Sequence, residues 1–151
     1  VGNRIFGCDD CLAICPWNKF ASQANEQKLA AKVGTDLPPL EQLLLLNDAR
    51  FRHYFAGTPV RRAGYDRFMR NILIAAGNSD DTALAPLVRT YLDYQSAVVR
   101  AMAVWALSQL MDQHSWTILR QQCLPAETDD TVRAEWRDGQ RFFNKPLFKT
   151  N

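Results

Sequence analysis

Three cysteines near the beginning of the sequence have the side-chain type and the spacing to bind a metal. Two residues separate Cys8 from Cys11, three residues separate Cys11 from Cys15, and Pro16 follows directly. Thiolates are preferred ligands of zinc and of iron–sulfur clusters. We therefore expect a metal site that uses Cys8, Cys11 and Cys15, with a [4Fe–4S] cluster as the favoured occupant.

The spacing of these cysteines matches the second half of the bacterial ferredoxin pattern, in which the last cysteine ligates the other cluster of a pair. Two intervening residues let one tight loop present Cys8 and Cys11 to the same cluster. Three intervening residues make about one helical turn, which carries Cys15 toward a second cluster. Pro16 removes a backbone donor and disfavours helical geometry at Cys15.

Other interpretations of the cysteines stay open at this point. Zinc also takes thiolate ligands, but zinc ribbons repeat a Cys-x-x-Cys pair, and His53 and His114 lack ligand spacing. Unligated thiols are a further alternative, and a disulfide framework fits poorly with three cysteines inside eight residues. The remote Cys123 has near-helical spacing from apolar residues and is predicted to be a small buried hydrophobe.

A cubane cluster needs four thiolates and only three are close together in the sequence, so we expect the chain to be part of a larger iron–sulfur protein. The first residue, Val1, agrees with a fragment. The chain has 151 residues, of which 47% are hydrophobic and 23% charged, as in a soluble globular domain. No apolar run is long enough to cross a bilayer. We expect a cytoplasmic protein without a membrane partner.

The remainder of the sequence predicts an all-α fold with no strand pattern. The polar residues 18–36 predict irregular structure with one turn at 27–32. The predicted helices cover 38–46, 47–55, 58–76 with a bend at Gly64, 80–92, 96–111, 114–123 and 129–142.

Internal repetition predicts how these helices are arranged. Residues 69–76 resemble 99–106 at an offset of 30, and Val132-Arg133 follows Val99-Arg100 at 33. This period in helix pairs indicates a short HEAT-like helical-repeat solenoid, preceded by an irregular ferredoxin-like cysteine segment. Arg100 and Arg133 are expected to form an internal ladder with Asp93 and Asp129.

The sequence also predicts a division into domains. We assign residues 1–24 to a partial ferredoxin-like iron–sulfur segment, 25–57 to connecting helices and 58–151 to the HEAT-like repeat domain.

One segment of the chain is strongly basic. Residues 48–70 hold six arginines and two aspartates, a net charge of +4, whereas the whole chain carries +2. Arginine contacts to phosphate supply sequence-independent affinity for RNA, although a solvated surface is the plain alternative. Tyr54, Phe55 and Tyr65 lie among the arginines and stack either on bases or in the core. The predicted RNA-binding residues are Arg50, Arg52, Arg61, Arg62, Arg67 and Arg70.

Two motifs in the sequence resemble those of one protein family. Residues 2–11 followed by 15–18, with the Cys-Pro-Trp-Asn sequence, look like the second cluster motif of epoxyqueuosine reductase. Residues 70–79 look like the opening of that family's C-terminal repeat domain. The resemblance covers nearly the whole chain, and the cysteine stretch is its most specific part.

The resemblance implies a cobalamin-dependent enzyme with two [4Fe–4S] clusters that reduces epoxyqueuosine to queuosine in tRNA. It implies that Cys8 and Cys11 ligate one cluster and Cys15 the other. The N-terminal domain, which holds the cobalamin and the catalytic acid, would lie outside this chain, so no catalytic residue is assigned here and the chain alone is expected to be inactive. The electron donor is unidentified, and a monomer is expected.

A second class of function stays open. A non-enzymatic HEAT-like adaptor that binds a protein partner, with a zinc or iron–sulfur clip at its start, would show the same repeats and cysteines.

Overall fold

The computed structural model describes residues 5–7, 10–20 and 38–143. Within these residues all regular structure is helical, which confirms the all-α prediction. The predicted turn at 27–32 and the boundary between 24 and 25 lie outside the described residues. The helices are α1 (Asp10–Ala13), α2 (Leu40–Leu44), α3 (Asp48–Tyr54), α4 (Pro59–Ala63), α5 (Tyr65–Gly77), α6 (Ala85–Arg89), α7 (Ala97–Leu110), α8 (Gln113–Cys123) and α9 (Asp130–Phe143).

The three long helices α5, α7 and α9 form a stack, because α7 packs extensively against both α5 and α9. α5 buries an apolar face that includes Phe68, Ile72 and Leu73. α7 is apolar and buried along most of its length, as expected of a helix between two neighbours. This arrangement agrees with the repeat of the sequence and with a helical-repeat domain.

A close approach between helices explains one glycine of the stack. A Cβ atom added to Gly77 would lie 2.5 Å from the Trp105 ring and 3.0 Å from the Ala106 backbone. Only a residue without a side chain fits there without a shift of α7.

The short helices before the stack begin where local sequence signals place them. Asn47 caps α3, and its Oδ1 accepts a hydrogen bond from the Arg50 amide at 2.9 Å, as an N-cap residue should. Pro59 opens α4, where its missing N–H costs nothing. Gly64, at φ +83°, separates α4 from α5, so the predicted bend is a complete break.

The region 80–92 corrects the prediction of one continuous helix. Asp80 takes a left-handed φ of +58°, and the Asp81 carboxylate accepts a hydrogen bond from the Ala83 amide at 3.1 Å. A 3₁₀ turn at Thr82–Leu84 therefore precedes α6, and a second one at Thr90–Asp93 follows it. Asp81 provides the cap of the first 3₁₀ turn.

The tryptophans of the helical region differ in burial. Trp116 and Trp136 are 1% and 2% exposed, and their rings stack with centroids 5.0 Å apart. Trp105 is half-buried and packs against the core. Gly139 makes room for the pair, because an added Cβ would lie 2.5 Å from the Trp116 ring.

None of the helices within the described residues has the length and apolar character needed to span a membrane.

Candidate functional site

The described part of the cysteine segment contains one helical turn, α1. The Ile14 amide donates to the Asp10 carbonyl at 3.1 Å, and Cys11 is exposed on this turn. Cys15 is half-buried and follows the end of α1, while Pro16 opens a 3₁₀ turn that runs to Phe20. The predicted loss of helical geometry at Cys15 is confirmed.

The described thiols are available for ligation. Cys11, Cys15 and Cys123 are free, while Cys8 lies outside the described residues. In the described part of the chain, no group of three or more His, Cys, Asp or Glu side chains is arranged to hold a metal ion. The ligand set Cys8, Cys11 and Cys15 stays a prediction. Cys123 packs against the core, and burial raises the pKa of its thiol.

One hydrogen bond joins the start of the cysteine segment to the helical stack. The Asn71 side-chain amide, on α5, donates to the Ile5 carbonyl at 2.8 Å. The half-buried Ile5 side chain also packs against the core. Sequence reasoning missed this contact, although a lone amide next to the apolar run Ile72-Leu73-Ile74 was a signal that could have found it.

The cysteine segment leaves large apolar side chains in solvent. Ile14 is 82%, Trp17 73% and Phe20 67% exposed. The Trp17 and Phe20 rings lie 5.6 Å apart, and the Lys19 ammonium is 4.9 Å from the centroid of the Phe20 ring. Such apolar surface is typical of a contact region rather than of a free surface.

The six predicted RNA-binding arginines are all exposed. They lie in pairs on three consecutive helices: Arg50 and Arg52 on α3, Arg61 and Arg62 on α4, and Arg67 and Arg70 on α5.

The arginines differ in whether a carboxylate neutralises them. Arg52 Nε donates to Asp48 Oδ2 at 2.8 Å, and this hydrogen bond raises the pKa of the Arg52 guanidinium. Among the residues that the structure describes, no carboxylate lies within ion-pair distance of the other five. Arg67 and Arg70 are three residues apart and therefore share one face of α5.

A shallow groove of about 420 Å³ brings Arg52 and Arg67 together. Asp48 and Asp66 line the same groove, so its charges cancel. The Tyr94 hydroxyl donates to Asp66 Oδ1 at 3.0 Å. Burial and this hydrogen bond raise the pKa of Tyr94 to about 12. Arg50, Arg61, Arg62 and Arg70 lie outside this groove, and they carry the uncompensated charge.

Two of the three aromatic residues among the arginines belong to the core. Phe55 packs against Phe51 and Phe68, with ring centroids 5.3 Å and 4.9 Å away. The Tyr65 ring contacts Phe51, and the Tyr65 hydroxyl donates to the Leu46 carbonyl. These contacts favour the packing interpretation over base stacking for both residues.

The expected ladder between Arg100 and Asp93 is wrong. The Arg100 guanidinium donates twice to the Glu127 carboxylate, at 2.9 Å and 3.0 Å, and also to the Tyr94 carbonyl at 2.9 Å. The two side chains are 16% and 10% exposed, and the Arg100 hydrogen bond lowers the pKa of Glu127. Arg133 donates to the Glu127 carbonyl at 2.9 Å rather than to Asp129.

No family model matches the chain. Among curated proteins, epoxyqueuosine reductase from Xanthomonas campestris is 45% identical over 112 residues, which cover 72% of this chain and 31% of that protein. The enzyme of the same name from Escherichia coli is 32% identical over 124 residues, which cover 81% of this chain and 32% of that protein. The chain therefore spans about a third of the length of these relatives.

Solved structures share the fold. A Bacillus subtilis epoxyqueuosine reductase matches with a TM-score of 0.74 at 26% identity, over 93% of this chain and 38% of that one. An epoxyqueuosine reductase crystallised with an epoxyqueuosine-modified tRNA stem loop matches with a TM-score of 0.85 at 23% identity, over 95% of this chain and 38% of that one.

The described helices and these matches define a class of protein, a helical-repeat region that follows a cysteine segment and is similar to one part of a reductase. The chain belongs to the epoxyqueuosine reductase family and corresponds to about a third of its members' length.

Proposed function

We propose that the chain is part of a tRNA-modifying oxidoreductase that converts epoxyqueuosine to queuosine in tRNA. The observation that carries this proposal is the 45% identity over 112 residues to a protein named epoxyqueuosine reductase. The chain corresponds to about a third of that protein. Its cysteines and exposed arginines suit it to supply metal ligands and an RNA-binding surface. Chemical turnover needs the remaining two thirds.

The RNA-binding surface consists of the six exposed arginines of α3, α4 and α5. Arg50, Arg61, Arg62 and Arg70 are the strongest candidates for phosphate contacts, since they lie outside the neutral groove and have no carboxylate partner among the described residues. Guanidinium groups bind phosphate oxygens in a bidentate manner. A solved relative with the same fold contains a tRNA stem loop, which supports tRNA as the partner.

The metal site uses Cys8, Cys11 and Cys15 as thiolate ligands of two [4Fe–4S] clusters, completed by cysteines outside this chain. The donor chemistry fits, because Cys11 and Cys15 are free thiols and Cys11 is exposed on a helical turn. When bound, the clusters transfer single electrons. Within this chain, α1 sets the separation of Cys11 from Cys15, and Pro16 ends the helical turn. The cobalamin of the family is assigned to no residue here.

We further propose that the protein is a cytoplasmic monomer, which fits an enzyme that acts on tRNA. The electron donor stays unassigned.

A tRNA-binding measurement tests the proposal. The double variant Arg61→Glu with Arg62→Glu should weaken binding of a tRNA stem loop by at least about tenfold, because two phosphate contacts become repulsions. The affinity of the wild-type chain should fall steeply with salt. The matched control is Arg89→Glu with Arg137→Glu, which makes the same charge change at exposed positions on α6 and α9 and should leave affinity nearly unchanged.

Equal losses in the two double variants would show that net charge alone attracts RNA. Absent or salt-insensitive binding would favour the adaptor alternative.

Metal analysis tests the cysteine assignment independently. The complete gene product, purified without oxygen, should contain iron and sulfide, and the Cys11→Ser and Cys15→Ser variants should each lose iron. The control is Cys123→Ser, which should keep it. Zinc in place of iron would overturn the cluster assignment.

A further inference from the structure

The contact between Asn71 and Ile5 joins the two parts of the chain to which different roles are assigned. It spans 66 residues of sequence. Ile5 is three residues before Cys8, and Asn71 directly follows Arg70 of the RNA-binding surface. One turn of α5 thus touches both the cysteine segment and the arginine surface.

The amide of Asn71 is chemically suited to this role. An Asn side chain provides two N–H donors, and a backbone carbonyl is an acceptor only. The bond is half-buried, so its loss would leave a carbonyl poorly solvated. The Ile5 side chain packs against the core beside it, and Gly7, at a left-handed φ of +69°, turns the chain immediately before Cys8.

We propose that Asn71 is a positioning residue, which holds the chain at Ile5 and thereby sets the placement of the metal-ligating cysteines relative to the arginine surface. The functional consequence rests on the proposed function, because it needs the cysteines to carry clusters and the arginines to hold tRNA. The structural consequence, order at residues 5–7, does not depend on it.

The first test is an NMR relaxation measurement on the 151-residue chain. Asn71→Asp is isosteric but cannot donate, and it places a carboxylate against the Ile5 carbonyl. The backbone order parameters of Phe6 and Gly7 should fall from about 0.85 to below about 0.6, while those of α7 stay unchanged. Asn71→Gln keeps an amide donor and should restore part of the order.

The matched control is Asn47→Asp. It adds the same charge, and the new carboxylate still accepts the α3 capping bond from Arg50, so residues 5–7 should stay ordered. Unchanged order parameters in Asn71→Asp would overturn the proposal. A loss of order that is equal at residues 5–7 and in α7 would also overturn it, because Asn71 would then support the fold in general.

The second test uses the complete gene product in steady-state kinetics. Asn71→Asp should lower kcat about tenfold or more, since small misplacements of reacting groups have effects of this size, and should leave KM for tRNA unchanged because the arginines are intact. An unchanged kcat would overturn the positioning role. The wild-type binding and iron measurements above decide the proposed function separately, so failure of one is distinguishable from failure of the other.

Discussion

Arg70, Arg100 and Arg133 occupy equivalent positions of the sequence repeat and lie on α5, α7 and α9. The side chain of Arg70 nevertheless differs from the other two in its exposure and in its hydrogen bonds. Arg100 and Arg133 are half-buried and donate to protein oxygens, in each case to the carbonyl six residues earlier. Arg70 is exposed, and within the described part of the chain its side chain makes no such bond. The same sequence signature therefore fixes two arginines within the fold and leaves one available to a ligand.

The starting points of the helices explain this difference. The cap residue of α7 is Ser96, four residues before Arg100, so the Tyr94 carbonyl lies outside the helix and is free to accept. α5 is capped by Gly64, six residues before Arg70. The Gly64 carbonyl, which stands six residues before Arg70, belongs to the first turn of α5 and accepts the Phe68 amide at 3.1 Å. Relative to its arginine, α5 therefore begins two residues earlier than α7, and Arg70 lies in the second turn of its helix with an exposed side chain.

The largest expected effect concerns the fixed arginine of α7. Arg100→Gln should lower the free energy of unfolding by about 2 kcal/mol, because it leaves the largely buried Glu127 carboxylate with an incomplete partner. Urea denaturation measures this change. Binding of the tRNA stem loop under native conditions should stay unchanged, and a weakened affinity would contradict the distinction between the two kinds of arginine.

The next largest expected effect is a dependence of the free energy of unfolding on pH. The hydrogen bond from Arg100 lowers the pKa of Glu127 in the folded state, so the pair stabilises the fold above the unfolded pKa of about 4.3. This stabilisation is lost as the pH falls through the lower, folded pKa. Glu127→Gln should therefore be about 1 kcal/mol less stable than the wild type at pH 7, and the difference should shrink below about pH 4 in urea titrations. A difference independent of pH would contradict the ionic nature of the contact.

A smaller effect is expected for the exposed Arg70. Arg70→Gln should weaken tRNA binding about threefold and reduce the slope of log affinity against log salt by about 0.7 to 0.9, as loss of one phosphate contact does. Fluorescence anisotropy titrations at several salt concentrations measure both. An unchanged slope would remove Arg70 from the RNA surface.

The smallest effect is expected for Arg52, because Asp48 already compensates its charge. Arg52→Gln should change tRNA affinity less than about twofold, compared with the larger change for Arg70→Gln. The same titrations make this comparison. A larger loss for Arg52 would mean that RNA displaces Asp48 and that the groove at Arg67 takes part in binding.

Local sequence signals predicted much of the fold. The helical spacing of apolar residues and the Asn47 cap each depend on neighbours within a few residues, and the structure confirms them. At Gly64 the sequence predicted a bend, and the structure has a break. The break at 80–92 was missed, because the left-handed Asp80 and the capping role of Asp81 have no unique signature in a pattern that also suits a helix.

The contacts that separate the fixed arginines from the exposed ones and that anchor the cysteine segment are long-range, which explains why the sequence did not predict them. Glu127 reaches Arg100 across 27 residues, and Asn71 reaches Ile5 across 66. The hydrogen bond from the Tyr94 hydroxyl to the Asp66 carboxylate joins residues that are 28 positions apart. Net charge over 48–70 predicted a basic segment, but only the fold shows which arginines are compensated.

The most direct test of this account measures two quantities on the same preparations of wild type, Arg70→Gln and Arg100→Gln. These quantities are the affinity for a tRNA stem loop and the free energy of unfolding. Arg70→Gln should lose affinity while its stability stays within about 0.5 kcal/mol of the wild type, and Arg100→Gln should lose stability while its affinity stays unchanged. Equal losses of affinity in both variants, or the reverse assignment, would contradict this account.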